Sequence, residues 1–146
     1  MSIVLRPFHP NDLAIYRSWF DHAGAADRIS PPDEAWLRHV TNSASGNAWI
    51  ASDGRHALAV VQADWDATAT AFLFLIVAPS HRGRGIGREV LRAWLAGEGR
   101  DFRNVEGRVE PGNIASLQCA LHCGFQLVNQ TPDEEGFLHL RLTRCQ

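Results

Sequence analysis

The chain has 146 residues, 45% of them hydrophobic and 21% charged, and a formal net charge of -2 at pH 7. This length and composition predict one globular domain over residues 1–146 with a single core. The slight negative charge argues against general nucleic-acid binding. We expect no membrane segment or signal peptide, because no apolar run approaches the roughly 20 residues that span a bilayer. Three cysteines are too few for a disulfide framework and favour the cytoplasm.

Strand and helix signals alternate along the first half of the chain. Residues 3–6 alternate as a strand, and Asn11 or Asp12 is expected to cap a helix that runs to Trp19. After a loop over residues 21–30, the prolines at 31 and 32 open a short helix that ends near Thr41. Three strands over residues 49–52, 56–65 and 70–77 then form a meander with turns at Asp53-Gly54 and Asp66-Ala67.

The second half continues with a helix over residues 87–96, a strand over 105–109 and a helix over 113–123. Strands over 125–129 and 137–142 complete the pattern. Periodicity alone therefore indicates a mixed α/β or α+β sheet domain.

The most informative segment is the turn between the strand at 70–77 and the next helix. It is rich in glycine and arginine, from His81 to Arg88. The first N–H groups of a helix have no intrahelical partner, and the helix dipole places partial positive charge there. Glycines allow a bulky anion to approach that backbone, and arginines add charge-assisted hydrogen bonds. The segment therefore predicts a pyrophosphate-binding turn, although glycine-rich hairpins without a ligand are common.

Two familiar phosphate loops do not fit this turn. A P-loop needs Gly-Lys-Ser/Thr, and the chain has no lysine; the dinucleotide fingerprint needs a third glycine where Arg88 or Val90 stands. The pattern that remains, Arg82-x-x-Gly85-x-Gly87, resembles the acyl-coenzyme A signature (Gln/Arg-x-x-Gly-x-Gly/Ala) of the GCN5-related N-acetyltransferases, the GNAT family.

A second landmark of the same family lies downstream. Asn113-x-x-Ser116 opens a helix that stops at Gly124-Phe125, at the family's spacing. The resemblance is strong over residues 71–128. It implies the GNAT fold: a mixed, mostly antiparallel central sheet with the order β-α-α-β-β-β-α-β-α-β-β, and a splay between the fourth and fifth strands.

The resemblance also implies acetyl-CoA as cosubstrate, no metal, and a set of residues that bind it. Peptide groups of the fourth strand would bind the pantetheine arm, one N–H stabilising the oxyanion, and the amides of the turn would bind the pyrophosphate. The implied cofactor residues are Leu75, Ile76, Val77, Arg82, Gly83, Arg84, Gly85, Ile86, Gly87, Asn113 and Ser116. Arg88 and Arg92 share a helix face with Arg84 and could reach an outer phosphate, but a solvated face is the commoner role for such residues.

The catalytic groups depart from the family pattern. Many members carry a carboxylate on the fourth strand that acts as the general base, and residues 71–77 contain none. Glu110, at the end of the fifth strand, is the best remaining candidate for the base. Asp64 and Asp66 come next, although a hairpin-turn role explains them as well.

The position of the general acid also departs from the family pattern. Ala120 stands where many members have a tyrosine, so Ser116 is the candidate for bonding the departing sulfur. Its alternative role is a hydrogen bond at the start of the helix.

The implied activity is direct transfer of an acetyl group from acetyl-CoA to a primary amine, on a small molecule or a peptide N-terminus. Residues 109–116 are similar to the RimJ/RimL subgroup, which usually lacks the tyrosine. Two alternatives stay open: a non-catalytic acyl-CoA binder of the same fold, and, more weakly, a nucleotide-binding enzyme. A homodimer is possible.

Two further constellations have ordinary structural explanations. Trp19, Trp36 and Trp49 could line an acceptor pocket with Asp21 and His22, or they could simply pack in the core. The side chains at Cys119, His122 and Cys123 imitate a metal site on one helix, but free helical cysteines usually pack.

Overall fold

The computed structural model describes residues 2–21 and 30–144. Its elements follow the order expected from the sequence. The strands are β1 (Val4–Pro7), β2 (Gly46–Ser52), β3 (Ala57–Trp65), β4 (Thr70–Val77), β5 (Asn104–Val109), β6 (Gln126–Leu127) and β7 (Leu138–Thr143), and the helices are α1 (Leu13–Ser18), α2 (Glu34–Asn42), α3 (Ile86–Ala96) and α4 (Ile114–His122). Most of the predicted loop over residues 21–30 lies outside the described residues.

One mixed sheet organises the described chain. Its seven strands are ordered β1-β2-β3-β4-β5-β7-β6, and all neighbours are antiparallel except β4 and β5. The parallel ladder of that pair holds only at Thr70↔Asn104, Ala71↔Val105 and Phe72↔Glu106. Beyond Phe72 the two strands separate, so the predicted splay is present and both strands have an unpaired edge there.

The core lies on both faces of this sheet. On one face, α3 and α4 pack onto the strands around the fully buried Trp94, whose ring meets that of Trp49 edge to face at a centroid distance of 6.0 Å. On the other face, α1 and α2 cover β2 and β3 with a cluster around the buried Tyr16 and Val40. Within the described residues, no helix combines the length and apolarity that crossing a bilayer requires.

The start of the first helical segment differs from the expected cap. A short 3₁₀ turn over Pro10–Asp12 precedes α1, and the His9 ring accepts a hydrogen bond from the Asn11 N–H at 3.1 Å. The Asp12 carboxylate accepts the His9 N–H and binds Arg6, both at 2.8 Å, instead of capping α1. The proline at the first position favours this tighter turn, and His9 is therefore the capping residue.

The end of α4 follows the prediction, but the next strand is shorter than expected. Gly124 is left-handed at φ +97°, its N–H donates to the Leu121 carbonyl, and the Phe125 N–H donates to that of Ala120. These two bonds form a Schellman motif. Because Phe125 belongs to that motif, β6 covers only Gln126–Leu127, not residues 125–129.

Candidate functional site

The separation of β4 from β5 opens a cleft of about 890 Å³, which is within the size range of small-molecule sites. Its walls come from the unpaired part of β4, the turn before α3, the end of β5 and the start of α4. Of the predicted site residues, Leu75, Ile76, Val77, Arg82, Gly83, Gly85, Ile86, Gly87, Glu110, Asn113 and Ser116 line it, and Arg84 does not.

The turn before α3 presents backbone at one end of the cleft. Gly83 and Gly85 are left-handed, at φ +79° and +76°, a region that favours glycine. No side chain caps α3 at Gly85, and a Cβ at either glycine would meet no atom within 4 Å. The start of α3 therefore has no side-chain cap and has open space beside the preceding turn, a geometry suited to an anion.

The arginines of this region have different positions. Arg82 and Arg84 are exposed, and only Arg82 borders the cleft. Arg92 lies 3.9 Å from Glu89 and outside the cleft, as the solvated-face interpretation expects. Arg88 lines the cleft, and its Nε atom is buried with no hydrogen-bond partner among the described residues. A buried unpartnered guanidinium nitrogen is unusual, and it favours an anion in the cleft.

Asn113 and Ser116 meet at the start of α4. The Asn113 side chain accepts the Ser116 N–H at 3.2 Å and so caps the helix. The start-of-helix hydrogen bond thus uses the Ser116 backbone, and the Ser116 hydroxyl stays exposed at the cleft wall.

The three candidate bases lie in different surroundings. Glu110 is half-buried at the cleft, just after β5, and its carbonyl accepts the Asn113 N–H at 2.9 Å. Asp64 lies 2.7 Å from His39 and accepts a hydrogen bond from Gln62 at 3.2 Å. Asp66 closes the β3–β4 hairpin, because the Thr68 hydroxyl and N–H bind its carboxylate and lower its pKa. The turn role therefore accounts for Asp66, and only Glu110 faces the cleft.

The three tryptophans do not form a common pocket. Trp19 and Trp36 belong to the face covered by α1 and α2, whereas Trp49 packs against Trp94 on the opposite face. Trp49 lies on β2 between Ala48 and Ile50, which face α1 and α2, so strand alternation turns its ring to the other side. His22 lies outside the described residues.

The cysteines of α4 pack against the start of α3. A Cβ on Gly87 would lie 3.6 Å from Cys119 Sγ, and burial raises the pKa of the Cys119 thiol to about 11. Among the described residues, no three side chains of the metal-binding types come together as a ligand set.

Sequence reasoning missed several residues of the cleft. Phe74, Arg108, Gln118, His122 and Phe137 also line it, and the Arg108 guanidinium lies 5.1 Å from the centre of the Phe137 ring. The alternation of β4 and β5 carries a signal for the first two. Phe137 is placed beside them by the register between β5 and β7, and the sequence carries no signal for that register.

The turn that carries Phe137 depends on one carboxylate. Asp133 accepts the N–H groups of Phe137 and Glu135, each at 2.9 Å, and lies 2.6 Å from the His139 ring. The hydrogen bond from the Phe137 N–H, followed by that with the His139 ring, lowers the pKa of Asp133 from 3.8 to about 2.

This lowered pKa predicts an acid-labile turn. The folded state favours the ionised carboxylate, so its stabilisation is complete above pH 4 and disappears as the pH falls towards 2. We expect the unfolding free energy of Asp133→Ala, measured by urea denaturation, to fall less between pH 4 and pH 2 than that of the wild type. Glu134→Ala is the matched control and should keep the wild-type slope; equal slopes for wild type and Asp133→Ala would contradict this role.

Comparison with known proteins agrees with the sequence landmarks. The model of the Acetyltransferase (GNAT) family matches residues 13–125. The uncharacterized N-acetyltransferase YfmK of Bacillus subtilis (strain 168) is 30% identical over 137 residues, which cover 90% of each chain.

Solved structures share the fold. Spermidine N-acetyltransferase from Vibrio cholerae, in complex with CoA and spermine, superposes with a TM-score of 0.77 at 16% identity, covering 97% of this chain and 95% of that one. Aminoglycoside acetyltransferase AAC(6')-Ib, in complex with coenzyme A and kanamycin, gives 0.80 at 17% identity, with 98% and 95% covered. With its splayed sheet, its two landmarks and these matches, the chain belongs to the GNAT acetyltransferase family.

Proposed function

We propose that this protein is an N-acyltransferase that moves the acetyl group of acetyl-CoA directly to a primary amine. The observation that carries the proposal is the cleft itself, where an unpaired strand edge leads to an uncapped helix N-terminus that follows two left-handed glycines. Family membership supports the same reaction. The similarity of residues 109–116 to the RimJ/RimL subgroup, the cytoplasmic location and a homodimer stay predictions.

The residues present fit an acyl-CoA. Peptide groups of residues 73–77 on the free edge of β4 provide donors and acceptors for an amide-containing arm. We propose that amides from Arg82 to Gly87 bind the diphosphate; there is open space beside Gly83 and Gly85, and the unpartnered Arg88 Nε adds a donor. When bound, acetyl-CoA supplies the thioester. The protein positions that thioester, and a backbone N–H of β4 stabilises the charge that develops on its carbonyl oxygen.

The chemistry of Cys119 supports direct transfer. At neutral pH a thiol with a pKa of about 11 stays protonated and is a poor nucleophile. We therefore expect Cys119→Ala to keep turnover within about twofold of wild type. Mass spectrometry of the protein after mixing with acetyl-CoA should show no acetylated Cys119; such an adduct, chased to product by amine, would replace direct transfer with an acyl-enzyme.

For proton transfer we propose Glu110 as base and Ser116 as acid. Both line the cleft. The Ser116 hydroxyl can rotate towards a departing sulfur, because the cap uses the backbone N–H of Ser116 and not its hydroxyl. Ser116→Ala should lower kcat about tenfold or more while the Kd for CoA is unchanged. Unchanged kcat would remove the acid role, and Ser116→Cys should restore part of the rate.

The proposal is tested by measuring CoA thiol release from acetyl-CoA with a panel of primary amines. Amine-dependent release with saturation in both substrates is the expected result. Tight CoA binding without amine-dependent release would instead favour the non-catalytic binder, and competition by ATP would favour a nucleotide-binding enzyme.

A further inference from the structure

Two phenylalanines of β4 are unusually exposed. Phe72 and Phe74 keep 40% and 38% of their surface accessible. Their neighbours Ala71, Leu73 and Leu75 pack towards α3 and α4, so strand alternation turns both rings to the opposite face of the sheet. On that face α1 and α2 cover Ile76, but no described helix covers the two rings.

These rings lie where an acceptor must approach the cleft. The Phe74 side chain lines the cleft and precedes Leu75, whose side chain points to the α3 side. β5 pairs with β4 only as far as Phe72, so the ring of Phe74 borders the gap between the strands. A molecule entering the gap from the side opposite α3 would contact Phe74 first and Phe72 next to it.

The carboxylates beside the rings each have a basic partner. Asp64, beside Phe72 on β3, lies 2.7 Å from His39. Glu106, beside Phe72 on β5, lies 3.0 Å from Arg141.

The polar and aromatic neighbours of Phe74 are engaged as well. The Gln62 side chain, beside Phe74, accepts the Trp36 indole N–H at 2.9 Å, and the Arg108 guanidinium lies 5.1 Å from the centre of the Phe137 ring. The surface beside the two rings is thus aromatic, and, leaving aside Glu110, the proposed base, the carboxylates next to it already have His or Arg partners. It therefore suits an apolar group better than a polycation, which needs several carboxylates that are available to bind it.

We infer that the acceptor is a primary monoamine with an apolar or aromatic group on the chain that bears the nitrogen, and that Phe72 and Phe74 select it. This inference rests on the proposed function. An arylalkylamine and a peptide with an apolar N-terminal residue share this chemistry. Selection operates through burial of the acceptor's apolar group against the two rings, which leaves the amine at the gap.

The test compares four acceptors at saturating acetyl-CoA: 2-phenylethylamine, a short peptide with N-terminal phenylalanine, spermidine and kanamycin. At least one of the first two should exceed both polycations in kcat/KM by about tenfold or more, and the better of the two identifies the source of the apolar amine. Phe74→Ala and Phe72→Ala should each raise the KM for that amine about tenfold and leave the KM for acetyl-CoA within about twofold. Phe74→Glu should shift preference towards spermidine.

Leu121→Ala is the matched control, because Leu121 is an equally exposed apolar residue (42%) that does not line the cleft. It should change neither KM. A wild-type preference for spermidine or kanamycin, or an acceptor KM unaltered in Phe74→Ala, would overturn the inference and leave the proposed function standing. Sedimentation showing that these substitutions only dissociate a dimer would also overturn it, and no turnover with any amine would overturn both.

Discussion

Gly85→Asp is expected to weaken acyl-CoA binding by about 100-fold while the protein stays folded. Aspartate tolerates the left-handed conformation that Gly85 adopts at φ +76° better than most residues. Its carboxylate would lie in the open space before the first amides of α3, where the diphosphate is proposed to bind. Like charges roughly 5 Å apart at an effective dielectric of about 20 repel by about 3 kcal/mol, so the Kd for CoA should rise by about 100-fold.

Gly54→Asp separates this effect from backbone strain. Gly54 is also left-handed, at φ +94°, with nothing near the position of a Cβ, and it lies in the β2–β3 turn outside the cleft. Both variants should lose similar unfolding free energy in urea titrations, but calorimetry should detect weaker CoA binding only for Gly85→Asp. Equal Kd values for the two variants would remove the turn from the cofactor site.

Glu110→Gln is expected to lower turnover most strongly at low pH. An acceptor amine with a pKa near 10 is almost fully protonated at pH 7, and deprotonating it costs about 4 kcal/mol. Removing the base should lower kcat/KM by about 100-fold near pH 6, and the deficit should shrink towards pH 9 as free amine becomes available without it.

Glu106→Gln controls for the loss of a nearby carboxylate, because Glu106 lies on β5 and Glu110 directly follows that strand. Glu106 binds Arg141 at 3.0 Å and does not line the cleft. Its substitution should therefore change kcat/KM by less than about twofold at every pH. An unchanged profile in Glu110→Gln between pH 6 and 9 would exclude this side chain from proton transfer.

The order of elements was predictable because the signals are local. The run from Ala71 to Val77, the left-handed Gly85 and the Schellman motif at Gly124 each depend on residues near in sequence. The proposed acyl-CoA turn could be located in the sequence for the same reason, since a helix start and its glycines are contiguous.

The proposed acceptor side of the cleft was not predictable, because it depends on strand pairing. Phe74 reaches the gap only because β5 leaves β4 after Phe72, and Phe137 is brought beside Arg108 by the register of β7 with β5. The pairing of Asp64 with His39 joins β3 to α2 over 25 residues. Single-sequence patterns carry periodicity but not such partners.

The most direct test follows the backbone amides of the turn during titration with CoA by NMR, with pantetheine as the ligand that lacks the diphosphate. The proposed site predicts that the N–H resonances of residues 82–88 move most with CoA and hardly at all with pantetheine, which should shift only residues 73–77. CoA binding that leaves the amides of Gly83, Gly85 and Gly87 unmoved, or no binding, would contradict the assignment of this turn.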